Sequence, residues 1–207
     1  MLLAASQLFA YGKFTFIQRG GKLHVKQCAM EQSFIEISAD MNRLACAGFL
    51  CGLCEVFLRE GDAQTELFRL LLVAMSHLAH NGADIRGITV FMLIKLLAQM
   101  GFAPMMDTCV RCGAPVAQPE RFDAHLGGVL CNRCGATYGT MAVTKRGCQT
   151  IRFALELPVE RMHVLKMDDA ARGEVWRIMR PFCLARMEYS PKSLDFLESV
   201  VQMGAGG

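Results

Sequence analysis

The stretch Ile88-Thr-Val-Phe-Met-Leu-Ile-Lys-Leu-Leu97 carries one charge, Lys95. A helix that is apolar most of the way round has no face for water and belongs at the centre of a bundle. The run reads as the middle of a helix from about Asp84 to Met100, stopped by Gly101 and Pro104. Upstream, Asn81-Gly82 closes a helix from about Gln64 to His80, with Leu67, Leu70, Leu71, Ala74, Met75 and Leu78 on its apolar side. Before it, Asp40 reads as an N-cap, with Met41, Leu44, Ala45, Phe49, Leu53, Val56 and Phe57 at helical spacing up to about Glu60-Gly61. Downstream, Thr144 caps a helix to about Phe153. Another spans roughly Ala170 to Met187, with Pro181 expected to kink or break it. A last helix follows Ser190-Pro191 through Leu194, Leu197 and Val201. The fold class is mainly α, a helical bundle.

The chain opens differently. Residues 13–18 and 22–28 alternate with the period of half-buried strands, and Arg19-Gly20-Gly21 supplies a turn. This is a β-hairpin with Phe14 and Phe16 on one face and Leu23 and Val25 answering them. Two strands are marginal alone, so the hairpin must pack on the helices or on further strands.

At 207 residues, 53% hydrophobic and 20% charged, the chain suits one folded, core-rich domain with small attachments. The longest apolar runs fall short of the roughly 20 residues that a membrane span requires. Met-Leu-Leu-Ala-Ala has no basic residue before it, so no secretory leader is expected. Ten cysteines, four of them in paired knuckles, fit a reducing cytoplasm with a metal site better than a disulfide scaffold.

Residues 107–139 break the helical pattern with Cys, Gly and Pro. Cys109-Val-Arg-Cys112-Gly113 and Cys131-Asn-Arg-Cys134-Gly135 are two matching C-x-x-C-G knuckles. Four thiolates satisfy one zinc ion tetrahedrally, and each short spacing lets one turn present two sulfurs. The glycine after each pair is expected to adopt positive φ, freeing amide N–H groups for the thiolates. Phe122 and Leu126 are expected to cover the site. Four thiolates leave no position for water, so the ion is structural. Cys51-Gly-Leu-Cys54 has the same spelling but lies inside an apolar helix near Cys46, and reads as buried thiols, as do Cys148 and Cys183.

Nothing in the sequence asks for catalysis. There is no phosphate-binding glycine loop, no G-x-S-x-G and no H-E-x-x-H. His77 and His80 share a helix face and could bind metal, but no nearby carboxylate is expected to complete a site, which favours solvated or capping roles. The first thirty residues contain Lys13, Arg19, Lys22 and Lys26 and no acid. On the hairpin these cations form either a phosphate-binding cluster or a lysine-protected strand edge. Arg172, Arg177, Arg180, Arg186 and Lys192 outnumber Glu174 and Glu188. They form either a solvated helix face or a surface for phosphate or an acidic peptide tail. Lys13, Arg19, Lys22, Lys26, Arg177 and Arg180 are the nucleic-acid-binding candidates.

Together these segments resemble a known family. Residues 9–14 (FAYGKF), the turn at 19–21 (RGG), 34–45 (FIEISADMNRLA), 96–104 (LLAQMGFAP), the two cysteine knuckles with GGVL at 127–130, and 192–197 (KSLDFL) are similar, in order, to the bacterial RecO recombination mediators. The resemblance implies an OB-fold, a helical domain and an embedded four-cysteine zinc module. On this chain it implies residues 1–35 as the last strands of the OB-fold, a β-hairpin remnant, and residues 36–207 as the helical domain, with the zinc module at 107–139. It implies a cytoplasmic, nucleoid-associated, non-enzymatic protein that binds single- and double-stranded DNA, anneals strands and, with RecR and single-strand-binding protein, helps load recombinase. Family members begin earlier, with the first OB strands, so the expectation is an N-terminally truncated form or a misplaced start. The rival is a zinc-stabilised helical module that binds only protein.

Overall fold

A computed structural model describes residues 6–59, 61, 63–119, 121–136 and 139–203. The hairpin comprises β1 (Tyr11–Arg19) and β2 (Lys22–Gln32), antiparallel and longer than the alternation indicated. Gly20 and Gly21 both have positive φ, 55° and 76°, the paired left-handed geometry that matches strand twist in a two-residue hairpin turn. Continuous alternation through Cys28 fails at a register shift: Thr15 opposes Gln27, but Phe16 opposes Val25. The extra residue is Lys26, a bulge that no period of two reveals.

The helical body follows: α1 (Ile35–Ser38), α2 (Met41–Phe57), α3 (Thr65–Ala79) and α4 (Ile85–Gln99). Two expected caps are present. Asp40 accepts from the Arg43 N–H, and Thr144 Oγ1 from the Gly147 N–H, at 2.9 Å and 3.0 Å. After the cysteine-rich segment come α5 (Lys145–Glu156), a 3-10 helix (Val159–Val164), α6 (Asp169–Leu184) and α7 (Lys192–Val200). The sequence pattern did not indicate α1 or the 3-10 helix. Pro181 does not break α6, which runs three residues past it. A proline in the last turn removes one backbone bond, and Ala185 N–H still reaches the Pro181 carbonyl at 2.9 Å.

Helix α4 is the hub. It packs on α2, α3, α5, α6 and the 3-10 helix. Val90, Phe91, Met92, Leu93, Ile94, Leu96 and Leu97 are all buried. Lys95 escapes isolation by donating Nζ to the Leu155 carbonyl of α5 at 2.7 Å. Among the described residues, no helix is long and apolar enough to cross a membrane.

The hairpin is packed only at its base. Cys28 is buried, and the Tyr11 ring lies 5.8 Å from Phe68 of α3. Towards the tip, Phe14, Phe16, Leu23 and Val25 remain 38%, 51%, 71% and 43% exposed. The helices therefore cover part of the apolar face and leave the rest to solvent.

Candidate metal centre and cationic hairpin

The cysteine segment folds on a small sheet of β3 (Arg121–Asp123), β4 (Gly128–Leu130) and β5 (Met141–Ala142), with β3 in the middle. Backbone bonds splice the first knuckle to it: Val110 N–H donates to the Val129 carbonyl at 3.0 Å and Val129 N–H to that of Met105 at 2.9 Å. Cys131 leaves β4 directly. The two turns close separately, Gly113 N–H to the Cys109 carbonyl and Gly135 N–H to the Cys131 carbonyl, each at 2.8 Å.

Gly113 has the expected positive φ, 73°. Gly135 does not. Its lack of a side chain answers a close approach, since a Cβ there would sit 2.9 Å from Arg121 Cγ. Leu126 is exposed and does not cover the site, whereas Phe122 is fully buried edge-on to Phe182 of α6, with ring centres 5.9 Å apart. Phe122 lies inside the sheet and Leu126 on the turn between β3 and β4, so only the first can face inward.

The sulfurs of Cys109, Cys112, Cys131 and Cys134 converge within 4.8 Å of one another, and Cys112 Sγ lies 3.8 Å from Cys131 Sγ. This group can hold a metal ion. Its electrostatics call for a cation. Burial opposes ionisation of Cys109, but backbone amides at Cys131, Cys112 and Arg111 bring its pKa down to about 6. The Cys131 side chain, burial and the other two thiols push Cys134 up to about 12. Four sulfurs this close cannot all become thiolates without a positive charge among them.

Five cysteines of the helices stand apart from this group. Burial pushes the thiols of Cys46, Cys51 and Cys148 up to about 11 and those of Cys54 and Cys183 up to about 12. They are neutral core residues.

Three arginines fasten this module to the helices. Arg152 of α5 pairs with Asp107 at 2.9 Å and donates to the Met106 carbonyl. Arg177 Nη2 of α6 donates to the Ala142 carbonyl at 2.8 Å. Arg186 Nη1 reaches the Ala124 carbonyl at 2.7 Å and lies over the Phe182 ring at 3.5 Å. Arg180 is bound by Glu198 of α7. Arg172, grouped in the sequence with a solvated face, is buried between Asp84 and Asp169. The excess of positive charge over 172–192 is largely a set of internal ties.

The hairpin cations are placed differently. Lys13 pairs with Glu31 at 3.5 Å. Arg19 and Lys22 are direct cross-strand partners at the tip, like charges in register, and Lys26 sits at the bulge. Among the described residues no acidic partner is found for these three. On the opposite face of the hairpin from Arg19 and Lys22, the exposed Phe14 and Phe16 rings stack at 6.4 Å with 27° between their planes. Their exposure was not legible in the alternation, which predicted only a shared face.

Known proteins are similar to this chain in sequence. The family model described as "Recombination protein O C terminal" matches residues 38–195. This chain belongs to the RecO family. A DNA repair protein RecO from Desulforudis audaxviator is 34% identical over 200 residues, covering 95% of this chain and 78% of that protein. The protein of the same name from Symbiobacterium thermophilum is 28% identical over 201 residues, 95% of this chain and 79% of its own length. That from Clostridium acetobutylicum is 24% identical over 192 residues, 93% and 77%. The match takes in both cysteine knuckles and the helical body, and these relatives extend it through nearly the whole chain.

Proposed function

We propose that this chain is a non-enzymatic, cytoplasmic DNA repair and recombination mediator. It binds single- and double-stranded DNA, promotes strand annealing, and acts with RecR and single-strand-binding protein in recombinase loading. The observation that carries the DNA-binding part is the hairpin tip. Arg19 opposite Lys22 is destabilising unless an anion lies between them. The stacked, exposed Phe14 and Phe16 offer the aromatic surface on which unpaired bases stack. Phosphate neutralisation and stacking are the two terms from which strand binding without sequence preference is built. We read residues 1–35 as OB-fold strands and 36–207 as the helical domain. Arg177 and Arg180 would reach phosphate only by giving up the Ala142 carbonyl and Glu198.

We further propose that the four-cysteine group holds one structural Zn2+. Zinc–thiolate bonds of about 2.3 Å place tetrahedral sulfurs about 3.8 Å apart, which the Cys112–Cys131 distance matches. Four thiolates leave no open position, so the ion stabilises the fold of the module and performs no reaction.

A second reading has one observation of its own. The exposed Leu23 and Val25 also suit a protein partner, which would make the chain a zinc-stabilised interaction module without DNA binding. Titrating a fluorescent single-stranded oligonucleotide separates the two. The mediator reading requires binding at ~50 mM salt that weakens as salt rises, with a log–log slope of about −0.7 per phosphate engaged. No binding at that salt leaves the protein-only module.

A further inference from the structure

A cavity of about 470 Å³ lies where the end of α3, the start of α4 and the 3-10 helix meet. Its floor is apolar, with Ile88, Phe91, Met162 and Met167 among its lining. His77 and His80 come from the end of α3, His163 from the 3-10 helix, and Lys166 from the segment that follows. The sequence pairs His77 with His80, but only the fold adds the third imidazole.

Asp84 is the one acid among the lining residues, and it is engaged. Its Oδ1 accepts the Gly87 N–H at 2.9 Å and faces Arg172 Nη1 at 3.5 Å. The remaining ionisable groups, facing the cavity from α3, the 3-10 helix and the following segment, are all basic. Three imidazoles around one space repel one another when protonated. Burial, then His163 and His80, hold the His77 pKa below its ordinary value. An anion in the cavity would reverse that penalty. Several donors lining one space from separate elements suit a phosphate, which offers three acceptor oxygens and close to two charges near neutral pH. The apolar floor and a volume within the usual range of small-molecule sites match a body attached to it.

We propose that this cavity binds a small phosphate monoester with an apolar or aromatic body, its phosphate held by His77, His80, His163 and Lys166. The proposal does not depend on DNA binding by the hairpin, which lies on other elements.

Adenosine monophosphate is the probe, with inorganic phosphate and adenosine as the partial ligands. Binding is measured by calorimetry at about pH 6 and about pH 8, on either side of the ordinary imidazole value, with the histidine side-chain NMR signals followed in parallel. The expected result is binding by the monophosphate that shifts the signals of His77, His80 and His163. It should weaken on the alkaline side by about tenfold per pH unit for each imidazole that must take up a proton. His163→Gln and Lys166→Ala, both at exposed positions, should each weaken binding about tenfold or more, as loss of a charge-assisted contact does. His163→Lys should restore it and flatten the pH dependence. Equal affinity for inorganic phosphate would overturn the assigned apolar body. Unmoved histidine signals, or wild-type affinity in both weakening variants, would overturn the site.

Discussion

Replacing Arg19, Lys22 and Lys26 together by alanine tests the hairpin through a slope rather than a single affinity. If each cation neutralises one phosphate of a single strand, losing three changes the log–log salt slope by about 2, at roughly 0.7 each. Between ~50 and ~200 mM salt the unmodified protein should lose about 20-fold more affinity than the variant. Phe14→Ala with Phe16→Ala should do the reverse. Losing a stacked base costs about 1–3 kcal/mol per ring, so affinity falls at every salt concentration while the slope stays parallel. Stability supplies a control with a definite sign. Arg19 opposes Lys22 in register, so removing both charges should leave the melting temperature unchanged or slightly raised, by the ~0.2–1 kcal/mol typical of a cross-strand pair. Fluorescence anisotropy across a salt series reads the first two quantities and thermal unfolding the third. An unchanged slope in the triple variant, with the fold intact, would refute the assignment of these cations to phosphate. Lys13, already paired with Glu31, should contribute less than any of the three.

Three further outcomes concern the body. Cys131→Ser should abolish stoichiometric metal binding and expose residues 107–139 to limited proteolysis, while far-ultraviolet circular dichroism keeps the helical signal, because α2, α3 and α4 pack without the module; retained metal would mean Cys131 is not a ligand. Arg186→Ala removes a charged hydrogen bond to Ala124 and a contact with the Phe182 ring, an expected loss of about 2–3 kcal/mol. Hydrogen exchange should quicken in β3 and β4 before α4, and uniform quickening would count against a local tie. Leu93→Ala, in the fully buried centre of α4, should cost about 2–5 kcal/mol by denaturant titration, with a cost under about 1 kcal/mol indicating that the core closes over the gap.

Helix α4 was legible because a run apolar on every side can only be central. Its neighbours were legible because side-chain caps such as Asp40 and Thr144 act within three residues of themselves. The α6 cap was missed for a related reason: Asp168, whose carboxylate accepts the Ala171 N–H, is followed by a second aspartate that hides the boundary. The paired knuckles showed where four sulfurs could converge, since metal-ligand spacing is itself a sequence pattern. Other features leave no such trace. The bulge at Lys26 breaks a period instead of making one. Apart from the Arg152–Asp107 pair, the ties from Arg152, Arg177 and Arg186 to the module end on backbone carbonyls, which every residue has, so no partner can be read from residue type. His163 reaches the His77 cavity through a 3-10 turn that has no amphipathic signature.

Those same ties have a consequence for how freely the module's sequence can be rewritten. The helices grip the path of the chain at Met106, Ala124 and Ala142 rather than the side chains found there. A segment with different residues at these points, but the same backbone course and the same four sulfurs, presents the same three oxygens to the same three guanidinium groups. The module is thus a cartridge in a socket. Its outer surface is open to redesign without touching the helices that hold it, provided Phe122 remains to seat against Phe182, Asp107 to pair with Arg152, and Gly135 to admit Arg121.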